Sequence, residues 1–199
     1  MIMSETPAYF DIRSDFWRRH FEMAKDYDSF LKESDPGMAQ RWIDSGKRVP
    51  ALTGEQRKRL QGYGRKMNVL MYCGIWCGDC SRQGPILRDI ADACGGDVTL
   101  RLIDREASPE LKAELRIVGA TRVPMLVFLS EDWWEVARFG ERTLSVYRAK
   151  AAREVGRNYN AGILVPKALS MELDELVDIF ERALIMLRLS PPLRRRYGD

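Results

Sequence analysis

Apolar positions between residues 9 and 33 recur every three or four places (Phe16, Trp17, Phe21, Ala24, Tyr27, Leu31), with charged residues between them. That spacing predicts one amphipathic helix, closed by the turn-forming run Ser34-Asp35-Pro36-Gly37. Residues 38 to 46 predict a short helix carrying Trp42. A further helix begins at Thr53, where Gln56 three residues on completes a capping box. Gly62 and Gly64 weaken its end.

The period then changes. Met67 to Tyr72 is a short, largely apolar run that suits a buried strand, and a Cys- and Gly-rich turn follows it. Ile86, Leu87, Ile90, Ala91 and Cys94 mark a helix that Gly95 and Gly96 stop. Val98 to Ile103 reads as a second strand, Pro109 to Leu115 as a short helix and Met125 to Leu129 as a third strand. Trp133 to Phe139 alternates and ends at Gly140. The order strand, helix, strand, helix, strand, strand predicts an α/β fold. It has a central mixed sheet, an antiparallel edge and helices on both faces. Residues 141 to 168 are weakly periodic and predict a helix plus loop, whereas Leu169, Leu173, Leu176, Phe180, Leu184 and Leu187 form one clear helical stripe. Glu172 and Asp174 suit the start of that helix through its dipole.

A chain of 199 residues, 45% hydrophobic and 31% charged, has ordinary globular composition and room for one sizeable core. The predicted division is one domain over 1–199: a helical extension at 9–64, a core at 65–140 and a helical C-terminal part at 141–190. Net charge is only +3, but arginine dominates the bases, with Arg142, Arg148, Arg153 and Arg157 in one stretch and Arg194-Arg195-Arg196 at the end. These read as a solvated face and a frayed tail, and no nucleic-acid-binding motif accompanies them. No stretch approaches the roughly 18 apolar residues of a membrane helix. The first seven residues show neither a positive flank nor an apolar run. A cytoplasmic protein is expected, with no nucleic-acid or membrane partner.

In a reducing compartment four cysteines are poor staples and better candidates for catalysis or metal binding. Cys77 and Cys80 lie two residues apart between a strand and a helix. The first turn of that helix brings their sulfurs together, and its free N–H groups and positive end favour a thiolate at Cys77. Cys77 is then the nucleophile and Cys80 the more buried resolving thiol. Trp76 would shield the sulfur and offer an apolar surface to a substrate, while Pro85 would kink the helix. Val123-Pro124 stands just before a strand, where proline is informative; a cis bond there would leave the Val123 backbone open to an extended substrate.

Trp76-Cys77-Gly78-Asp79-Cys80, Pro85 and Val123-Pro124 together resemble the thioredoxin superfamily over about residues 66 to 140. The resemblance implies the same roles for the tryptophan, the two cysteines and the two prolines. More narrowly, Thr53-Gly54-Glu55-Gln56, the Trp-Cys-Gly-Asp-Cys string, Asp104-Arg105-Glu106 and Arg138-Phe139-Gly140 are similar to a bacterial thioredoxin-like family with an added N-terminal helical region. Two positions depart from typical thioredoxins. Met71 stands where the superfamily keeps a buried aspartate, and Asp79 replaces a proline. The Asp79 charge opposes thiolate formation at Cys77, and Arg82 and Arg122 would offset it if they lie nearby.

Cys73 is either a small buried side chain or a third redox thiol, and Cys94 fits the apolar face of its helix. Cys73, Cys77 and Cys80 also spell the C-x3-C-x2-C cluster motif of radical-SAM enzymes, but no Gly-rich cofactor segment accompanies it. Zinc would need a fourth ligand, and His20, the only histidine, is remote in sequence. The expectation is a thiol–disulfide oxidoreductase without cofactor or metal. It would act on a disulfide-bearing protein or small molecule and be served by an electron donor that sequence does not identify. The alternative is a peptide-binding or chaperone-like module on the same fold. Glutathione-dependent and peroxidase roles are weaker readings. Oligomeric state is left open.

Overall fold

The computed structural model describes residues 11–156 and 166–199. The lead-in at residues 1–10 and the stretch 157–165, Arg157 included, lie outside the described residues.

Met67–Cys73 (β1), Val98–Asp104 (β2), Met125–Ser130 (β3) and Glu135–Gly140 (β4) form one sheet in the order β2-β1-β3-β4. β1 and β2 run parallel, while β1 with β3 and β3 with β4 are antiparallel, so the sheet is mixed. All of β3, and all of β1 but Asn68, is buried, as befits strands covered on both faces. Parallel β1 and β2 need a crossover, supplied by Gly78–Ala93 (α5). Gly95 and Gly96 then turn the chain at φ 66° and 88°, a left-handed region open to glycine without a Cβ clash. Trp133 sits in the β3–β4 turn at φ 65°, so β4 starts at Glu135, two residues after the expected Trp133.

The single helix expected over 9–33 is two helices, Ser14–Met23 (α1) and Tyr27–Lys32 (α2). Between them Lys25 leaves the helical path to pair with Leu102 of β2, its N–H donating at 2.9 Å and its carbonyl accepting at 2.7 Å. Asp26 then caps α2 by accepting the Ser29 N–H at 2.9 Å. The turn at Ser34–Gly37 both ends α2 and starts Pro36–Gly46 (α3), because Asp35 is an N-cap and Pro36 fits the first helical position. Gly54–Arg59 (α4) carries the capping box expected at Thr53 and Gln56, both bonds present.

α3 lies directly against α5. A Cβ on Gly84 would fall 2.3 Å from the Trp42 ring, so only glycine admits this approach. Trp42 is fully buried, sits beside Tyr27 and Phe30, and donates its indole N–H to the Ile75 carbonyl at 2.9 Å. The N-terminal helices are thereby pinned to the loop that leads into the cysteines.

Pro109–Glu114 (α6) connects β2 towards β3, Leu144–Val155 (α7) follows β4, and Pro166–Leu189 (α8) carries the expected stripe. Leu169, Leu173, Leu176, Phe180, Leu184 and Leu187 are all buried, with Phe180 edge-on to Phe128 of β3 at 5.2 Å. The expected frayed tail is instead a helix, Pro191–Tyr197 (α9). Leu193 is buried under it, and Arg196 and Tyr197 both reach Asp132, at 3.2 and 3.0 Å. Buried Arg65 bonds Asp199 and, at 2.6 Å, Glu131. Among the described residues no helix is long and apolar enough to cross a membrane.

Candidate functional site

β1 ends at Cys73 and α5 begins at Gly78, so Cys77 is the N-cap residue of a 16-residue helix. Its extended backbone (φ −77°, ψ 123°) turns the sulfur back over the first turn, where it accepts the Cys80 N–H at 3.3 Å. Cys77 is 8% exposed and Cys80 fully buried one turn on. Both are free thiols, as are Cys73 and Cys94.

The two thiols are driven apart. The bond from Cys80 brings the Cys77 thiol down to about 7, against the opposing pull of burial and of the Asp79 charge. Burial pushes Cys80 far up, and its bond to Cys77 adds to the shift. A low-pKa sulfur at a helix N-terminus beside a protonated buried partner is the arrangement that dithiol exchange requires. Cys73 is buried at the end of β1 with its thiol 3.7 Å from the Ile103 carbonyl, and burial raises its pKa. Cys94 lies 3.2 Å from the Ile90 carbonyl and is pushed up to about 12 by burial.

The Val123-Pro124 bond is cis, and the Val123 carbonyl accepts the Cys77 thiol at 3.6 Å. In this state that carbonyl faces the sulfur. Trp76 is 44% exposed, with the Arg105 guanidinium 4.9 Å above its ring and Gly74 tucked beneath. The Arg105 N–H bonds the Cys73 carbonyl at 2.7 Å, so the β2–α6 loop holds the end of β1 as well. Pro85 lies inside α5, beside Gly46 of α3. Met71 is fully buried in β1.

Asp79 does not face Cys77 unopposed. One of its oxygens accepts from Arg82 at 2.9 Å and the other from Arg142 at 2.6 Å. Arg82 is itself buried and bonds Glu172 of α8 at 2.7 Å, and Arg142 also pairs with Glu141. Arg122, expected to share the task, is exposed and forms no ion pair among the described residues. Its place is taken by Arg142, read in sequence as part of a solvated face, whereas Arg148 and Arg153 are exposed. Glu172, expected with Asp174 at the dipole-favoured start of its helix, lies beyond the first turn of α8, which begins at Pro166, and is buried against Arg82, a role not read for it in sequence. Its signal was present: three residues after Leu169 and four before Leu176, it falls on the buried stripe of α8, where a carboxylate needs a cation.

The zinc alternative finds no support in His20, whose ring nitrogens bond the Phe16 carbonyl and the Ser108 hydroxyl, both at 2.8 Å. Among the described residues no three His, Cys, Asp or Glu side chains gather as metal ligands.

No curated protein matches the chain. Among solved structures, a Pseudomonas aeruginosa protein of unknown function is similar, with a TM-score of 0.63 at 16% identity over 84% of this chain and 96% of that one. An HIV epitope scaffold gives a TM-score of 0.64 at 17% identity over the same shares. At such identities the likeness is one of fold alone. A family model described as thioredoxin matches residues 24–154, from the Lys25 bridge to the end of α7, and so takes in the cysteine pair, the cis-proline and most of the N-terminal helices. The chain therefore belongs to the thioredoxin family.

Proposed function

We propose that the chain is a thiol–disulfide oxidoreductase, with Cys77 as nucleophile and Cys80 as resolving thiol. The observation that carries this reading is the Cys77 sulfur itself: N-cap of α5, bonded by the Cys80 N–H at 3.3 Å and brought down to about 7. The lowered pKa favours its thiolate form near neutral pH. The Cys77 sulfur attacks one sulfur of a substrate disulfide, forming a mixed disulfide and releasing a thiolate. Cys80 then loses its proton and attacks the Cys77 sulfur, which releases the second thiol and leaves a Cys77–Cys80 disulfide. An external dithiol restores the pair.

Trp76, with Val123 and Pro124, forms the groove in which the substrate lies, and Arg82 with Arg142 offsets part of the Asp79 charge that opposes the thiolate. Pro85 shapes the helix, and Cys73 stays outside the exchange. Protein and small-molecule disulfides are both within the reach of this chemistry. A reducing, cytoplasmic setting would keep the pair ready to donate electrons. The Trp-Cys-Gly-Asp-Cys string supports the narrower likeness to the bacterial group with added N-terminal helices.

Insulin-disulfide reduction tests the mechanism. Wild type should turn over, Cys77→Ser should be inactive, and Cys80→Ser should accumulate mixed disulfides that dithiothreitol releases. Turnover that survives the loss of Cys77 would refute the assignment. An inactive wild type that still binds insulin chains would favour the peptide-binding alternative.

A further inference from the structure

A cleft of about 540 Å³ opens between α3 and the first turn of α5. Arg41, Asp44 and Arg48 line one wall, and Gly78, Asp79 and Arg82 line the other. Its size is that of a small-molecule site. Gly78 directly follows Cys77 in the chain, so the cleft lies beside the N-cap turn that carries the nucleophile, although Cys77 itself does not line it.

The charges on its walls are unequally committed. Asp79 is held by Arg82 and Arg142. Asp44 accepts from Lys47 at 2.8 Å and from Gln40 at 3.0 Å. Arg82 is matched by Glu172 as well as Asp79. Arg41 and Arg48 are exposed, and among the described residues neither makes an ion pair. Each acidic residue thus has a partner of its own, and Arg41 and Arg48, the latter close enough to Asp44 to help lower its pKa, remain without an ion pair and can receive an anion. A guanidinium fork suits a carboxylate, which it can bind through two parallel hydrogen bonds.

We infer that this cleft binds the carboxylate end of a small anionic disulfide and presents its sulfur to Cys77. The inference rests on the oxidoreductase reading and adds the substrate's charge and size. In the step it serves, the Cys77 thiolate attacks RS–SR, one RS⁻ leaves, and Cys80 displaces the second. The dithiol loses two electrons and two protons, and the disulfide becomes two RSH.

The test compares three small disulfides that differ in charge: dithiodipropionate (anionic), bis(2-hydroxyethyl) disulfide (neutral) and cystamine (cationic). The rate at which each oxidises the reduced full chain is followed by acid quench, alkylation and mass spectrometry. Comparing wild type with the Arg41→Gln/Arg48→Gln variant cancels the intrinsic reactivity of each reagent. The ratio of dithiodipropionate to hydroxyethyl rates should fall about tenfold in the variant at low salt, as expected for two exposed ion pairs. The cystamine ratio should rise, and added salt should shrink both effects. Equal ratios in the two proteins overturn the inference and leave the oxidoreductase reading intact. If none of the three oxidises the pair, the inference falls, and insulin-disulfide reduction alone decides the oxidoreductase reading.

Discussion

Replacing Arg82 by methionine keeps most of the side-chain volume and removes the cation that two carboxylates share. Arg82 is 5% exposed and Glu172 1%, with 2.7 Å between them, so the variant strands a carboxylate in the interior. Removing one partner of such a buried pair costs about 3–5 kcal/mol, which for a chain of this size lowers Tm by about 6–20 °C. The cost depends on pH in a definite direction. Burial already holds the Glu172 carboxyl above its ordinary value, and Arg82 is the main force pulling it back. Without Arg82 the folded-state pKa climbs further above the unfolded one. A group raised in this way stabilises the fold below its unfolded pKa, and that contribution is lost as pH rises through the folded pKa. The variant should therefore be closer to wild type at pH 5 than at pH 8, the gap widening by up to about 1.4 kcal/mol per pH unit between the two pKa values. Urea unfolding at both pH values, followed by tryptophan fluorescence and circular dichroism, reads this directly. The Arg82→Met/Glu172→Leu double variant should regain much of the loss, because replacing both partners by apolar groups is often nearly neutral. A loss below about 1 kcal/mol at pH 8, or one that does not vary with pH, would refute the reasoning.

Asp79→Asn removes a negative charge that raises Cys77, while Arg82 and Arg142 keep Glu172 and Glu141 as partners, so the thiolate should form at a lower pH than in wild type. Absorbance at 240 nm against pH measures this, and an unchanged or higher midpoint contradicts it. In native protein at pH 7.5 iodoacetamide should modify Cys77 first, since burial raises Cys73, Cys80 and Cys94; peptide mapping that finds Cys73 labelled as fast would bring that thiol back into the chemistry. Gly84→Ala places a Cβ 2.3 Å from the Trp42 ring. Overpacking of up to about 3 kcal/mol, less about 1 kcal/mol gained in helix propensity, should leave a loss of about 2 kcal/mol. A variant as stable as wild type, with unshifted tryptophan emission, would show that α3 and α5 are less tightly joined than described.

The sheet and its crossover helix were legible because β1 and β3 are largely apolar runs, the first followed by Gly74 and the second preceded by Pro124, a pattern that buried strands produce directly. The break between α1 and α2 was hidden for a physical reason. Phe21, Ala24, Tyr27 and Leu31 are all buried, so spacings of three and four survive although the chain turns at Lys25. Asp26 with Ser29 was the local cue, since an N-cap marks a helix start inside an apparently continuous stripe. At the C-terminus the arginine run drew attention away from Ser190-Pro191, an N-cap followed by proline at the first helical position. The cysteine pair could be read because its chemistry depends on local spacing. Of the partners of Asp79, Arg82 could be read from its spacing, but Arg142 could not, because it reaches the site only through the packing of the β4–α7 segment on α5.

The Lys25–Leu102 bridge bears on how the molecule meets its own kind. The outer strand of a sheet is a template, a row of donors and acceptors on which another chain can crystallise. On β2 a single residue satisfies the middle of that row, and α1 lies close enough for Arg101 to bond the Phe21 carbonyl at 3.3 Å. Growth of the sheet into a second molecule is blocked on this side by two hydrogen bonds of the chain's own. The opposite border, β4, is where strand-to-strand association would have to begin.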